Sequence, residues 1–189
     1  MILKKANATL SLLTLLGMLI HAGYNVFAYL TFYYDPMLNQ LTAYPFLICV
    51  CLHAALGMII VFTQGDGSGI TYYPKQNITT LIQRISAALI LILLPMHIKM
   101  FDLMSYASGN KNRLLWGLLI FGEVLFFAAL ISHISVSFSK ALITMGWLDS
   151  LKVKKRIDHI AYVLGAVIFA VSLYAVIKGQ VVMFLLTGD

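Results

Sequence analysis

Four of the five histidines, His21, His53, His97 and His133, fall deep inside apolar stretches, one in each of the first four such stretches. Ionisable side chains are costly inside a membrane and mark functional sites there by default. Neutral imidazole is a common axial ligand of haem iron. Two histidines facing each other across a helical bundle can clamp one porphyrin, so four make two bis-histidine sites. Zinc is a weaker rival, because no cysteine or carboxylate stands at ligand spacing from these histidines. Interhelical hydrogen bonds are the plain structural alternative. His159 sits beside a basic run and reads as interfacial.

The elements that must carry these side chains are membrane helices. Of 189 residues, 61% are hydrophobic and 11% charged. Soluble domains run nearer half apolar and a quarter charged. A hydrocarbon core needs about 20 consecutive apolar residues as helix. Five segments qualify: 7–34, 43–63, 78–104, 114–145 and 157–186. Asp35-Pro36, the stretch Gly65-Asp66-Gly67-Ser68-Gly69, Ser108-Gly109-Asn110 and Gly146 punctuate them as turns. The expected fold is all-α, an integral membrane five-helix bundle filling one domain, 1–189. The first apolar stretch is too long for a signal-peptide core and lacks a small-residue cleavage site.

Lysine and arginine set the expected orientation. With the N-terminus inside, nine fall on the inner side: Lys4, Lys5, Lys75, Arg84, Lys140, Lys152, Lys154, Lys155 and Arg156. Four fall outside: Lys99, Lys111, Arg113 and Lys178. The N-terminus is therefore expected inside and the C-terminus outside, with the run from Lys152 to Arg156 near anionic lipid or an acidic partner. The net charge of +6 sits in short loops and does not indicate nucleic acid. Cys49 and Cys51 lie two residues apart within an apolar stretch and read as core residues, with no covalent haem-attachment motif. Tyr33, Tyr34, Tyr44, Tyr72, Tyr73, Trp116 and Trp147 gather near span ends as an aromatic belt.

Depth along the helices pairs the histidines. His97 is close to the outer Lys99 and Asp102, whereas His133 is close to the inner Lys140. His53 leans inward, and His21 is central to slightly outward. The expected pairs are His21 with His97 for an outer haem and His53 with His133 for an inner one. Small residues one turn away, Gly17, Gly57, Ala129 and Ser137, suit either a flat macrocycle or plain helix packing. Arg84 is a candidate partner for a propionate of the inner haem, or a positive-inside anchor. Glu123 is the only glutamate. It is a candidate for proton handling or a quinol contact near the outer haem, or a hydrogen-bonded structural group.

The chain resembles the single-polypeptide, five-helix, di-haem cytochrome b subunits of succinate dehydrogenases and fumarate reductases. The resemblance covers nearly the whole chain. It rests on His21 with Asn25 four residues later, on His53 with Gly57, on Gln83-Arg84-Ile85-Ser86 followed by His97, and on His133 followed by Gly146-Trp147. The sequence departs from the family pattern at Ala87 and Ser137, where glycine is common, and at Asn7. The resemblance implies the same histidine pairing, with the haem of His53 and His133 proximal to the soluble subunits. It implies a flavoprotein subunit carrying FAD and an iron–sulfur subunit docked on the inner face of the cytoplasmic membrane, and a quinone, often menaquinone, as the membrane substrate. Complexes of this kind could also pair as dimers. Two alternatives stand beside it: a di-haem anchor of a hydrogenase or formate dehydrogenase, and a haem-free transporter. The sequence lacks the broken-helix pairs and inverted repeats that favour a transporter.

Overall fold

The computed structural model of the chain describes residues 2–64 and 74–182. The described part is all-α and has no strand. Its helices are α1 (Ile2–Thr31), α2 (Pro36–Gln64), α3 (Pro74–Ile98), α4 (Met100–Gly109), α5 (Arg113–Met145) and α6 (Leu151–Gln180). All but α4 are long and apolar enough to cross a membrane. The expected turn at 65–69, Tyr72 and Tyr73, and residues 183–186 of the expected fifth span lie outside the described residues.

The outer faces of these helices are oily. Phe62 is 84% exposed, Leu114 75% and Ile92 71%, and α2 has no buried residue. Water would not tolerate such a surface. Lipid would, because helices satisfy their backbone hydrogen bonds internally and can present apolar side chains outward.

Helix α5 is the hub. It packs against α1, α3, α4 and α6, while α1 packs against α2, α5 and α6. Helix α2 leans mainly on α1. Close approach depends on small residues, as it does for helices packing in lipid. A Cβ on Gly179 of α6 would collide with the ring of Tyr29 on α1. A Cβ on Gly17 of α1 would lie 3.2 Å from the Cβ of Phe46 on α2, so this glycine next to His21 serves helix packing. Nothing lies within 4 Å of a Cβ built on Gly57.

Two helix N-termini, those of α2 and α5, are capped by polar side chains. Asp35 Oδ1 accepts from the backbone N–H of Met37 at 2.8 Å and of Leu38 at 3.1 Å, capping α2. Tyr24 Oη accepts from the Asp35 N–H at 2.7 Å and donates to the Asp35 carbonyl at 2.8 Å, which ties that turn to α1. Asn112 caps α5 through Leu115 N–H, and Gly146 closes α5 at φ 80°, in the left-handed region.

The third expected span, 78–104, is divided. Helix α3 ends at Ile98, Lys99 takes φ −97° and ψ 8°, and α4 starts at Met100. The Lys99 N–H is shared between the carbonyls of Pro95 (3.2 Å) and Met96 (3.1 Å). Beyond the break, Met100, Met104 and Ala107 of α4 pack on Leu119 of α5. Trp116 joins this cluster, and its Nε1 is buried without a hydrogen bond.

Candidate functional site

One cavity of about 930 Å³ runs through the bundle, and His21, His53, His97 and His133 all line it. Arg84, Glu123 and Ser137 line it too. Its wall on α5 follows helical periodicity. Glu123, Phe126, Phe127, Leu130, His133 and Ser137 recur at three- and four-residue intervals and so share one stripe. Helix α5 thus serves both histidine levels from one face.

At the first level the rings of His53 and His133 have centroids 6.3 Å apart and planes at 72°. Two metal–imidazole bonds of about 2 Å, together with the ring radii, place coaxial imidazole centroids about 6 Å apart. The spacing therefore fits one metal ion held between the rings. His53 Nδ1–H donates to the Asn7 carbonyl at 3.3 Å. His133 Nδ1–H donates to the Gln83 carbonyl at 2.9 Å, with Ser86 Oγ at 3.3 Å. The Ser86 hydroxyl itself donates to the Ile82 carbonyl at 2.7 Å, so the proton between Ser86 and His133 belongs to the imidazole.

At the second level His97 Nδ1–H donates to Glu123 Oε1 at 2.7 Å. Phe126 stacks on the His97 ring at 4.4 Å and 15°. His21 Nδ1 lies 3.4 Å from Thr42 Oγ1, whose own hydroxyl donates to the Asn39 carbonyl at 3.0 Å. Asn25 Nδ2 donates to the His21 carbonyl at 2.9 Å and lies 3.3 and 3.4 Å from the two ring nitrogens. His21 lies as far along α1 from Asn7 as His97 lies along α3 from Gln83. At 1.5 Å per residue that is about 21 Å, which puts His21 and His97 at a common height.

The carbonyl acceptors put the proton of His53 and His133 on Nδ1 and leave Nε2 its lone pair. A hydrogen bond at one ring nitrogen fixes the tautomer that ligates through the other. Histidine, cysteine, aspartate and glutamate side chains do not gather in threes among the described residues. The donors come in twos, which suits an iron whose other four ligands a porphyrin supplies. The donor set, the ring spacing and the cavity fit haem at the His53–His133 level. At the His21–His97 level the donor set and the cavity fit it.

Arg84 lines the cavity on α3, one residue after Gln83. Lys140 Nζ donates to Gln83 Oε1 at 2.9 Å and approaches Thr80 Oγ1 at 3.4 Å. Ser137 Oγ is buried without a partner on the same wall. His159 is exposed, apart from the cavity. Sequence reasoning missed the groups that orient the rings. The carbonyls of Asn7 and Gln83 carry no side-chain signature, and Thr42 has no motif. Gln180 was also missed: it is fully buried, against Tyr29 of α1.

Comparison with protein-family profiles, with curated proteins and with solved structures found no match.

Proposed function

We propose that this chain is a two-haem cytochrome b membrane subunit that passes electrons between quinone and a flavoprotein/iron–sulfur module, as in succinate dehydrogenase or fumarate reductase. The observation that carries the reading is the His53–His133 pair. Its rings are 6.3 Å apart, and each holds Nδ1–H on a backbone carbonyl. The choice of a succinate or fumarate partner rests on the sequence resemblance alone. The soluble subunits would dock at the end of the bundle that carries Lys152, Lys155 and Arg156, which are exposed. That end would face the cytoplasm, and the membrane would be the cytoplasmic membrane.

Haem, when bound, supplies reversible one-electron chemistry at two depths. The protein residues do the rest. His53, His133, His21 and His97 would hold the irons through Nε2, and the Nδ1 bonds keep each ring from turning. Arg84, with Ser137, would receive a propionate at the His53–His133 level. The apolar cavity wall excludes water and lowers the local dielectric, which strengthens each of these contacts. The two levels are separated by about 15 Å along α5, from Glu123 to His133, at 1.5 Å per residue. That spacing divides the crossing into shorter electron transfers. Quinone would be bound near the His21–His97 level, and menaquinone is the type the resemblance suggests.

A reduced-minus-oxidised spectrum with a pyridine haemochrome assay on the purified complex tests this. Two b haems per chain, with flavoprotein and iron–sulfur subunits on the gel, support the reading. Two haems with hydrogenase or formate dehydrogenase subunits move it to another oxidoreductase. A folded chain without haem overturns it in favour of a transporter.

A further inference from the structure

The four histidines do not have equivalent partners. His53 and His133 donate Nδ1–H to the neutral backbone carbonyls of Asn7 and Gln83, and His21 Nδ1 has only the neutral Thr42 hydroxyl and Asn25 amide beside it. His97 alone donates to a carboxyl group, Glu123 Oε1, at 2.7 Å. Glu123 is 4% exposed, and its second oxygen is buried without a partner among the described residues. The Phe126 ring stacks on the face of the His97 ring and limits its rotation. The His97–Glu123 contact is shorter than those of the other three rings, at 2.9, 3.3 and 3.4 Å. Burial of the pair strengthens a hydrogen bond electrostatically.

We propose that Glu123 is a positioning residue that sets the potential of the haem held by His97. Through Nδ1–H it draws the imidazole toward imidazolate, making Nε2 a stronger donor. A stronger donor favours ferric over ferrous iron, one of the levers by which proteins tune haem. The haem at the His53–His133 level, backed only by neutral carbonyls, lacks this bias. The inference rests on the two-haem reading and gives Glu123 a task besides quinol contact.

The test is optical redox titration of both haems at one fixed pH, in wild type, Glu123→Gln and Glu123→Asp. Glutamine keeps the volume and removes the charge. Aspartate keeps the charge and shortens the reach. We expect Glu123→Gln to raise the midpoint of one haem by about 59 mV or more, a tenfold change for a one-electron couple. The other haem should stay where it was, and Glu123→Asp should shift less than Glu123→Gln. Unchanged potentials, equal shifts of both haems, or a larger effect of Asp than of Gln would each overturn the inference while leaving the two-haem reading intact. Wild-type protein without haem overturns both. If Glu123→Gln fails to assemble, infrared redox-difference spectra of the wild type decide. A carboxylate band should respond when one haem is reduced and stay silent for the other, and no such band sinks the idea.

Discussion

His53 and His133 approach within 6.3 Å, ring centroid to ring centroid, although 80 residues of chain separate them. Each ring is steadied from behind by a carbonyl on a third element, Asn7 on α1 or Gln83 on α3. Four helices thus meet at one pair of side chains. Such convergence makes the pair sensitive to substitution and readable by experiment.

Replacing His53 or His133 with alanine should remove one haem and spare the other, because the His21–His97 level is held by different residues. The haemochrome yield per chain should fall by about half in either variant. A double His53→Ala, His133→Ala variant should lose no more than either single one, since both residues would serve the same iron. Additive loss would separate the two histidines and undo the pairing.

Gln83→Leu should weaken the bundle without emptying the site. Its side chain accepts from Lys140 at 2.9 Å, whereas its backbone carbonyl, which survives the substitution, holds His133. Losing a hydrogen bond to a charged group costs about 1.5–3 kcal/mol. Thermal unfolding in detergent should shift downward with haem content unchanged. Loss of haem would mean that Lys140 and Gln83 matter to the site directly.

Gly179→Ala should be more harmful than its size suggests. The added methyl meets the Tyr29 ring, and overpacking of this kind costs about 1–3 kcal/mol. Combining it with Tyr29→Ala should recover part of the loss, a coupling that a double-mutant cycle on unfolding would reveal. If the two effects simply add, α1 and α6 are not in contact there.

Tyr24→Phe leaves the Asp35 N–H and carbonyl without the hydroxyl that now serves both. The carbonyl keeps the Asn39 N–H at 3.0 Å, so the half-buried Asp35 N–H is the group stranded, at a cost of up to about 1–3 kcal/mol. The turn between α1 and α2 should become the first region to exchange its amide hydrogens, measurable by mass spectrometry. Exchange unchanged around residue 35 would mean that the Asp35 cap alone holds the turn.

The helices were legible because lipid selects for long apolar runs, and five such runs leave little freedom. The histidines were legible because an ionisable group stands out against that background. The bond between His97 and Glu123 was not. The residues lie on different spans, and nothing in either stretch records the rotation that turns them toward each other. The break at Lys99 was hidden for a related reason. Residues 78–104 read as one apolar run, and the break shows only in the Lys99 backbone and in the packing of Met100 and Met104 on Leu119. The carbonyls behind His53 and His133 have no side-chain identity, so no pattern of residue types could point to them.

Helix α2 leans mainly on α1, yet it carries His53. On the reading proposed above, an iron atom between His53 and His133 would tie α2 directly to α5. Biogenesis would then have an order: α2 inserts held mainly by α1, the prosthetic group enters between α2 and α5, and ligation latches the two together. A newly made chain starved of haem would stay ajar, with its histidine-lined interior open to lipid and to the proteases that clear unfinished membrane proteins.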